Sequence, residues 1–224
     1  MPSKRQLLTA IVVALVGAGL IAVESAGLRT AVYVLKPLAT VLVLGMVLTS
    51  RPLPSRQYQL LIAGGMVWSI AGDVFLMWPA SLFAQGLGCF LVAHFFYIGA
   101  FATHGAGRTA GIKPLLPFAL IAGTMLAILW PGLGALRIPV AAYVGVISTM
   151  AWQAWGRALN LRSAAAWRGA IGAFCFLVSD SAIALNRFHA PIGDAFTSRL
   201  IITSTYLVAQ WMIASTVGED ESAG

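Results

Sequence analysis

The sequence predicts an all-α membrane protein, a polytopic bundle of eight transmembrane helices forming a single transmembrane domain over residues 1–224. Three observations carry this. The chain is 59% hydrophobic and 9% charged, with a mean hydropathy of +0.88. Soluble domains carry roughly 25% charged residues, so there is too little polar surface here to cover a water-soluble core. Apolar runs of about 17–23 residues recur between short polar breaks, each long enough to span a hydrocarbon core of roughly 30 Å. The basic residues, which give a net charge of +7, are scattered at the ends of those runs, where membrane proteins keep them. That scatter, with no cluster of Lys and Arg among aromatics, excludes a nucleic-acid partner. The short alternating segments of an outer-membrane barrel are absent.

The first run, Leu7–Val23, follows Lys4-Arg5 as a signal peptide would, but it exceeds the roughly 7–15 apolar residues usual for one. It reads as the first helix. Thr30–Thr49 is the second, stopped by Arg51-Pro52-Leu53-Pro54. Tyr58–Trp78 ends at Pro79, and Ser81–Thr103 ends at Gly105-Ala106-Gly107. Pro114–Trp130 is closed by Pro131-Gly132. Leu136–Trp155, Ala166–Asn186 and Ser198–Val217 complete the set, the last two separated by Pro191-Ile192-Gly193. Cys89 and Cys175 lie in apolar runs and read as small packing residues rather than a disulfide. No Cys/His cluster has metal-ligand spacing, so the reading calls for no metal and no cofactor.

Orientation follows from the cations. The N-terminus and the second, fourth and sixth loops hold nine Lys and Arg, and the other loops hold Arg29, Arg137, Arg187 and Arg199. The positive-inside rule then places both termini in the cytoplasm. The acidic tail Glu219-Asp220-Glu221 weighs little in that rule. The expected location is the bacterial inner (cell) membrane.

Within this frame two acidic residues stand out among only seven: Asp73 and Asp180, both inside apolar segments. A carboxylate at bilayer depth costs several kcal/mol unless it is paired, protonated or facing water. At ~1.5 Å per residue each lies roughly 8–9 Å below the outer end of its predicted helix. By the same rise Lys36 is about 9 Å and Tyr206 about 12 Å down, with Gln210 deeper and His94 nearer the midplane. Costly polar groups thus share one slab in the outer half, as a single cavity would require. Helical spacing groups Tyr33, Lys36, Pro37 and Thr40 on one face, and Gly86, Phe90, His94, Tyr97 and Phe101 on another. Thr203, Tyr206 and Gln210 share a third. Gly65, Ser69, Gly72 and Asp73 form a small-residue stripe of the kind that lets helices approach closely. The two aspartates sit four helices apart, each after a small residue, as a parallel four-plus-four repeat would place them.

Several pieces in order now bear comparison: Lys36-Pro37-Leu38; Gly72-Asp73-Val74-Phe75-Leu76-Met77; Phe83-Ala84-Gln85-Gly86 running into Phe90-Leu91-Val92-Ala93-His94-Phe95-Phe96-Tyr97; Ser179-Asp180-Ser181; Asn186-Arg187-Phe188; and Thr205-Tyr206 with Gln210. With the eight-helix layout they resemble the YhhN-like lysoplasmalogenase family of integral membrane proteins. The fifth and sixth predicted helices add little to the match. The resemblance implies a hydrolase that cleaves the vinyl ether bond of lysoplasmalogens to a fatty aldehyde and glycerophosphocholine or glycerophosphoethanolamine. It implies a lysophospholipid substrate entering from the bilayer. The family's polar positions carry over to Lys36, Asp73, His94, Asp180 and Tyr206, with Tyr97, Gln210, Asn186 and Arg187 as supporting candidates.

The chemistry fits two carboxyls. A vinyl ether is cleaved by protonating its terminal vinyl carbon, which leaves an oxocarbenium ion for water to capture. This needs an acid, a stabilising anion and a base, which a desolvated carboxyl pair supplies. Glycosidases meet a similar intermediate with paired carboxyls. Which aspartate is the acid stays open at this stage. Lys36 either neutralises a carboxylate or holds the lipid phosphate, and Arg187 and Arg199 are alternative phosphate ligands. No Gly-x-Ser-x-Gly elbow and no His-Glu-x-x-His motif occurs. The rival reading is a proton-coupled or small-solute transporter using the buried aspartates; the one-sided placement of polar groups argues against it.

Overall fold

The computed structural model describes residues 4–51, 55–103, 111 and 114–218. The Pro52-Leu53-Pro54 break, the Gly105-Ala106-Gly107 loop with Arg108 and Lys113, and the acidic tail Glu219-Asp220-Glu221 lie outside the described residues. All regular structure among the described residues is helical: α1 (Lys4–Ser25), α2 (Arg29–Thr49), α3 (Arg56–Phe75), α4 (Pro79–Thr103), α5 (Leu115–Leu129), α6 (Arg137–Leu161), α7 (Ala164–Phe188) and α8 (Ala195–Ala214), with two short 3₁₀ turns between α5 and α6.

Seven of the eight are long and apolar enough to cross a membrane, and the chain is a multi-pass integral membrane protein. The exception is α8, whose 20 residues include Thr, Ser, Tyr and Gln. Those polar groups are turned partly inward: Tyr206 and Gln210 are buried. The helix is less apolar because it supplies one wall of a polar interior.

The boundaries depart from expectation in three informative places. α3 stops at Phe75 rather than Trp78, because the Met77 and Trp78 N–H groups turn back only three residues, to the Val74 and Phe75 carbonyls (3.2 and 3.1 Å), and the residue before Pro79 is disfavoured as helical. Asp73 therefore stands in the last turn of its helix, ~3 Å from the end, while Asp180 is ~12 Å from the end of α7. α4 starts earlier and kinks at Leu82 (φ −118°, ψ 16°). α6 runs on to Leu161, so Arg157 is not a loop cation. It is buried inside the helix, its guanidinium 5.1 Å from the centre of the Tyr58 ring.

Neighbouring helices pack in sequence except that α4 packs on α6 rather than on α5, and α8 closes the bundle against α1 and α2. The Gln6 amide donates to the Ser215 carbonyl (2.9 Å) and the Trp211 indole donates to the Gln6 carbonyl (3.1 Å), tying the start of α1 to the end of α8. The most extensive contact joins α3 to α4. It depends on the small-residue stripe. A Cβ on Gly65 would come within 2.3 Å of the Tyr97 ring, and one on Gly72 within 2.6 Å of the Phe90 ring. Lipid offers no hydrophobic force between helices, so this close fit is what holds them.

Part of the packing is also related by a four-helix shift. α2 meets α8 as α6 meets α4, and α3 meets α4 as α7 meets α8. Gly132, in the α5–α6 connection, has no room for a side chain: a Cβ there would lie 1.9 Å from the Phe188 carbonyl oxygen. Gly132→Ala is expected to cost about 1–3 kcal/mol through this overlap, read as a lowered melting temperature in detergent. Gly123→Ala, where a Cβ meets nothing within 4 Å, is the matched control.

Candidate active site

Asp73 is 2% exposed and accepts two hydrogen bonds on one oxygen, from the Tyr206 hydroxyl (2.6 Å) and the Thr40 hydroxyl (3.0 Å). The two donors are themselves 3.2 Å apart. Behind Tyr206 a chain of polar groups runs into the bundle. The Gln210 amide donates to the Tyr206 oxygen (3.1 Å), Tyr97 donates to the Gln210 carbonyl oxygen (3.1 Å), and Ser69 lies 3.4 Å from Tyr97. Interhelical hydrogen bonds in membranes contribute about 0.6–1.7 kcal/mol each, against roughly 2.5–3.5 kcal/mol for a carboxylate at bilayer depth. The two bonds offset much of that cost, and Lys36 lines the same cavity as Asp73.

Asp180 has a different retinue. The Tyr143 hydroxyl donates to it, and His94 Nε2 is 2.9 Å from that hydroxyl and 3.6 Å from the carboxylate oxygen. His94 is fully buried, its ring edge-to-face with Phe176 at 4.8 Å. With the Tyr143 hydroxyl donating to Asp180, its contact with His94 Nε2 is one in which the tyrosine oxygen accepts. The buried Nδ1 has no hydrogen-bond partner.

The two units mirror each other under the four-helix shift. Asp73 on α3 is held by α2 and α8, and Asp180 on α7 by α6 and α4. No hydrogen bond joins the carboxyls, but both line one cavity of about 700 Å³ with Lys36, Tyr33, Trp78, Tyr206, Arg199 and Glu24. A second, small apolar cleft of about 50 Å³ lies between α4, α5, α6 and α7, walled by Leu87, Met125, Val140 and Leu177. Asp180, Phe90, Leu76 and Ile183 border both spaces.

The other sequence candidates fall elsewhere. Asn186 donates to Ser198 and accepts from the Ile192 N–H (2.8 Å), which fixes the α7–α8 turn. The Arg187 guanidinium lies 4.1 Å over the Phe83 ring, and Phe83 and Phe188 meet edge-to-face across the cleft's wall. Neither residue lines the larger cavity. Tyr143 is the participant that sequence reading passed over. Its signal was present: it lies ~9 Å from the start of α6, within the slab that holds the other polar groups.

The YhhN family model matches residues 31–217, which takes in nearly all of α2 through α8 and every residue just described except Glu24. This chain belongs to the YhhN family. Among curated relatives of this YhhN-family chain, human lysoplasmalogenase TMEM86A is 39% identical over 158 residues, covering 67% of this chain and 62% of the relative. Human lysoplasmalogenase TMEM86B is 35% identical over 170 residues, covering 71% and 64%. A protein of Mycobacterium bovis named lysoplasmalogenase is 35% identical over 130 residues, covering 55% and 48%. The chain thus aligns with less than two thirds of the length of these relatives. No solved structure matches it significantly.

Proposed function

We propose that this protein is a membrane-embedded lysoplasmalogenase, hydrolysing the vinyl ether of a lysoplasmalogen to a fatty aldehyde and a glycerophospho-alcohol. The observation that carries the reading is a single cavity bordered by two separately clamped aspartates, one of which also borders an apolar cleft. The names of the relatives supply the reaction, and the geometry suggests how it runs.

The first carbons of the alkenyl chain enter the apolar cleft and the head group takes the larger cavity, which sets the vinyl ether between Asp180 and Asp73. The carbon to be protonated is on the chain side, so Asp180 is the acid. Asp73, with two hydroxyl donors and Lys36, acts as the carboxylate. The Asp180 proton adds to the terminal vinyl carbon, and Asp73 faces the resulting oxocarbenium ion and takes a proton from the water that adds to it. The hemiacetal then collapses as Asp73 returns that proton to the departing glycerol oxygen. Asp180 takes the hemiacetal hydroxyl proton and is ready again. Tyr143, hydrogen-bonded between His94 and Asp180, orients the Asp180 carboxyl for these transfers.

A carrier would need access from both ends. The cavity lining stops at Asp73, Phe90 and Tyr206, with Met66, Phe101, Phe176 and Ile213 fully buried in the core, which favours the enzyme. In this reading α8 crosses as well, being ~30 Å long. The excess of cations at the other helix ends, which persists without the buried Arg157, supports cytoplasmic termini and a cavity that opens outward, in a bacterial inner membrane. The test is purified protein with matched vinyl-ether and ester lysophospholipids. Aldehyde release from the first alone is expected; ester cleavage, or Asp-dependent solute flux in proteoliposomes without lipid cleavage, would reverse the assignment.

A further inference from the structure

The mouth of the cavity carries a set of groups the reaction does not use. Glu24 at the end of α1 and Arg199 near the start of α8 both line it, with Arg199 Nε 3.9 Å from the Glu24 carboxylate. The Tyr33 and Trp78 rings, also in the lining, stack at 5.0 Å and 29°. At 3.9 Å the ion pair is loose. A guanidinium has five N–H donors and a carboxylate about four acceptor sites, so both partners keep most of their capacity for a ligand. Solvent-exposed pairs of this kind contribute little to stability, so fold maintenance is a weak reason for placing them here.

We infer that Glu24, Arg199 and the Tyr33–Trp78 stack form a recognition site for a zwitterionic phospho-ammonium head group. Arg199 takes the phosphate, and Glu24 with the aromatic faces takes the ammonium. The ligand's charges are separated by ~4–5 Å along the phosphate–ethylene–nitrogen link, comparable with the Glu24–Arg199 spacing, so ligand and pair align head to tail. Depth agrees as well. Arg199 stands ~10 Å above Tyr206 along α8, and in an extended lysoplasmalogen the phosphorus lies ~9 Å from the terminal vinyl carbon. A phosphate at Arg199 therefore sets the reacting bond beside Asp73 and Asp180. Lys36 lies a further two turns into α2 and belongs to Asp73 rather than to the phosphate.

This inference rests on the proposed hydrolase reading, and a binding experiment separates the two. The probes are a saturated alkyl-ether lysophosphocholine, which has no bond to cleave, and the matching alkyl glycerophosphate, which has no ammonium. Binding to purified wild type, Glu24→Gln, Arg199→Gln and Arg199→Lys is followed by tryptophan fluorescence in a sugar-based detergent. Arg199→Gln is expected to weaken both probes roughly tenfold, with part of the loss recovered by Arg199→Lys. Glu24→Gln is expected to weaken the phosphocholine probe several-fold while the glycerophosphate binds as well or better, a change of preference that a merely structural role would not produce. Equal binding of both probes by all four proteins overturns the site, as does parallel loss of both in Glu24→Gln. Charge-dependent probe binding without aldehyde release from a vinyl ether overturns the hydrolase reading alone. Aldehyde release with a KM indifferent to head group and to both substitutions overturns the head-group site alone.

Discussion

Asp180→Asn and Asp73→Asn are each expected to lower aldehyde release from a lysoplasmalogen by about 10²–10⁴, the range for removing a positioned acid or base. The replacement keeps the size of the side chain. In Asp73→Asn the amide oxygen still accepts from Tyr206 and Thr40, so the fold is expected to persist, and one buried charge fewer removes a desolvation cost. Melting temperatures in detergent at or above wild type, together with lost turnover, are the expected pair of results. The kinetics also separate the roles. Without Asp180 protonation of the vinyl carbon is slowed, and exchange of the vinyl hydrogen with solvent falls together with turnover. Without Asp73 protonation remains possible, so slow exchange of the vinyl hydrogen with solvent persists. Turnover within threefold of wild type in either variant would exclude that residue from the acid–base pair.

The second large effect is expected at Tyr143. Tyr143→Phe removes the hydroxyl between His94 Nε2 and Asp180, leaving the histidine 3.6 Å from the carboxylate with no bridge. A loss of roughly 10–100-fold in kcat is expected, with little change in KM, because the hydroxyl acts through Asp180 and touches the proton transfer rather than the head group. His94→Gln should lie close to it, and the double variant should lose little more than either single one, since the two act as a unit. A pH–rate profile for Tyr143→Phe displaced from wild type would mark a positioning role. An unchanged profile with a raised KM would assign Tyr143 to packing of the apolar cleft instead.

Much of this site was legible in the sequence because membranes make polar residues conspicuous. Asp73, Asp180, Lys36 and His94 each interrupt an apolar run, and the rise of a helix is enough to place them in one slab. The small-residue stripe of Gly65, Ser69, Gly72 and Asp73 pointed toward a close helix contact, and the seating of Tyr97 and Phe90 on those glycines is that contact. Pairing was not legible. Whether Tyr206 serves Asp73 or Asp180 depends on how α8 is rotated against α2 and α3, which no run of hydropathy encodes. Tyr143 was hidden for a different reason: a tyrosine in a membrane helix is chemically unremarkable until its hydroxyl is seen against a carboxylate.

Arg187 shows the opposite failure. A cation near a helix end invites a phosphate, yet its guanidinium is spread over the Phe83 ring, a use that position along the chain does not reveal. The end of α3 was misplaced because Leu76-Met77-Trp78 is as apolar as a helix interior, and only the demand of the Pro79 turn stops it. The faint four-plus-four pattern, weak in flanking sequence, is clearer in the partners. Thr40 and Tyr206 around Asp73 stand where Tyr143 and His94 stand around Asp180, with different side chains meeting the same carboxyl need.

The central claim is that a carboxyl in this cavity protonates a vinyl carbon. The most direct measurement is hydrolysis of a lysoplasmalogen by the purified protein in D₂O, with the aldehyde trapped as it forms and weighed by mass spectrometry. The account predicts one deuterium on the carbon next to the aldehyde carbon, appearing at the rate of turnover and slowed about 10²–10⁴-fold with Asp180→Asn. Aldehyde formed by the wild-type protein without that deuterium, or the same labelled product from Asp180→Asn at an undiminished rate, would contradict it.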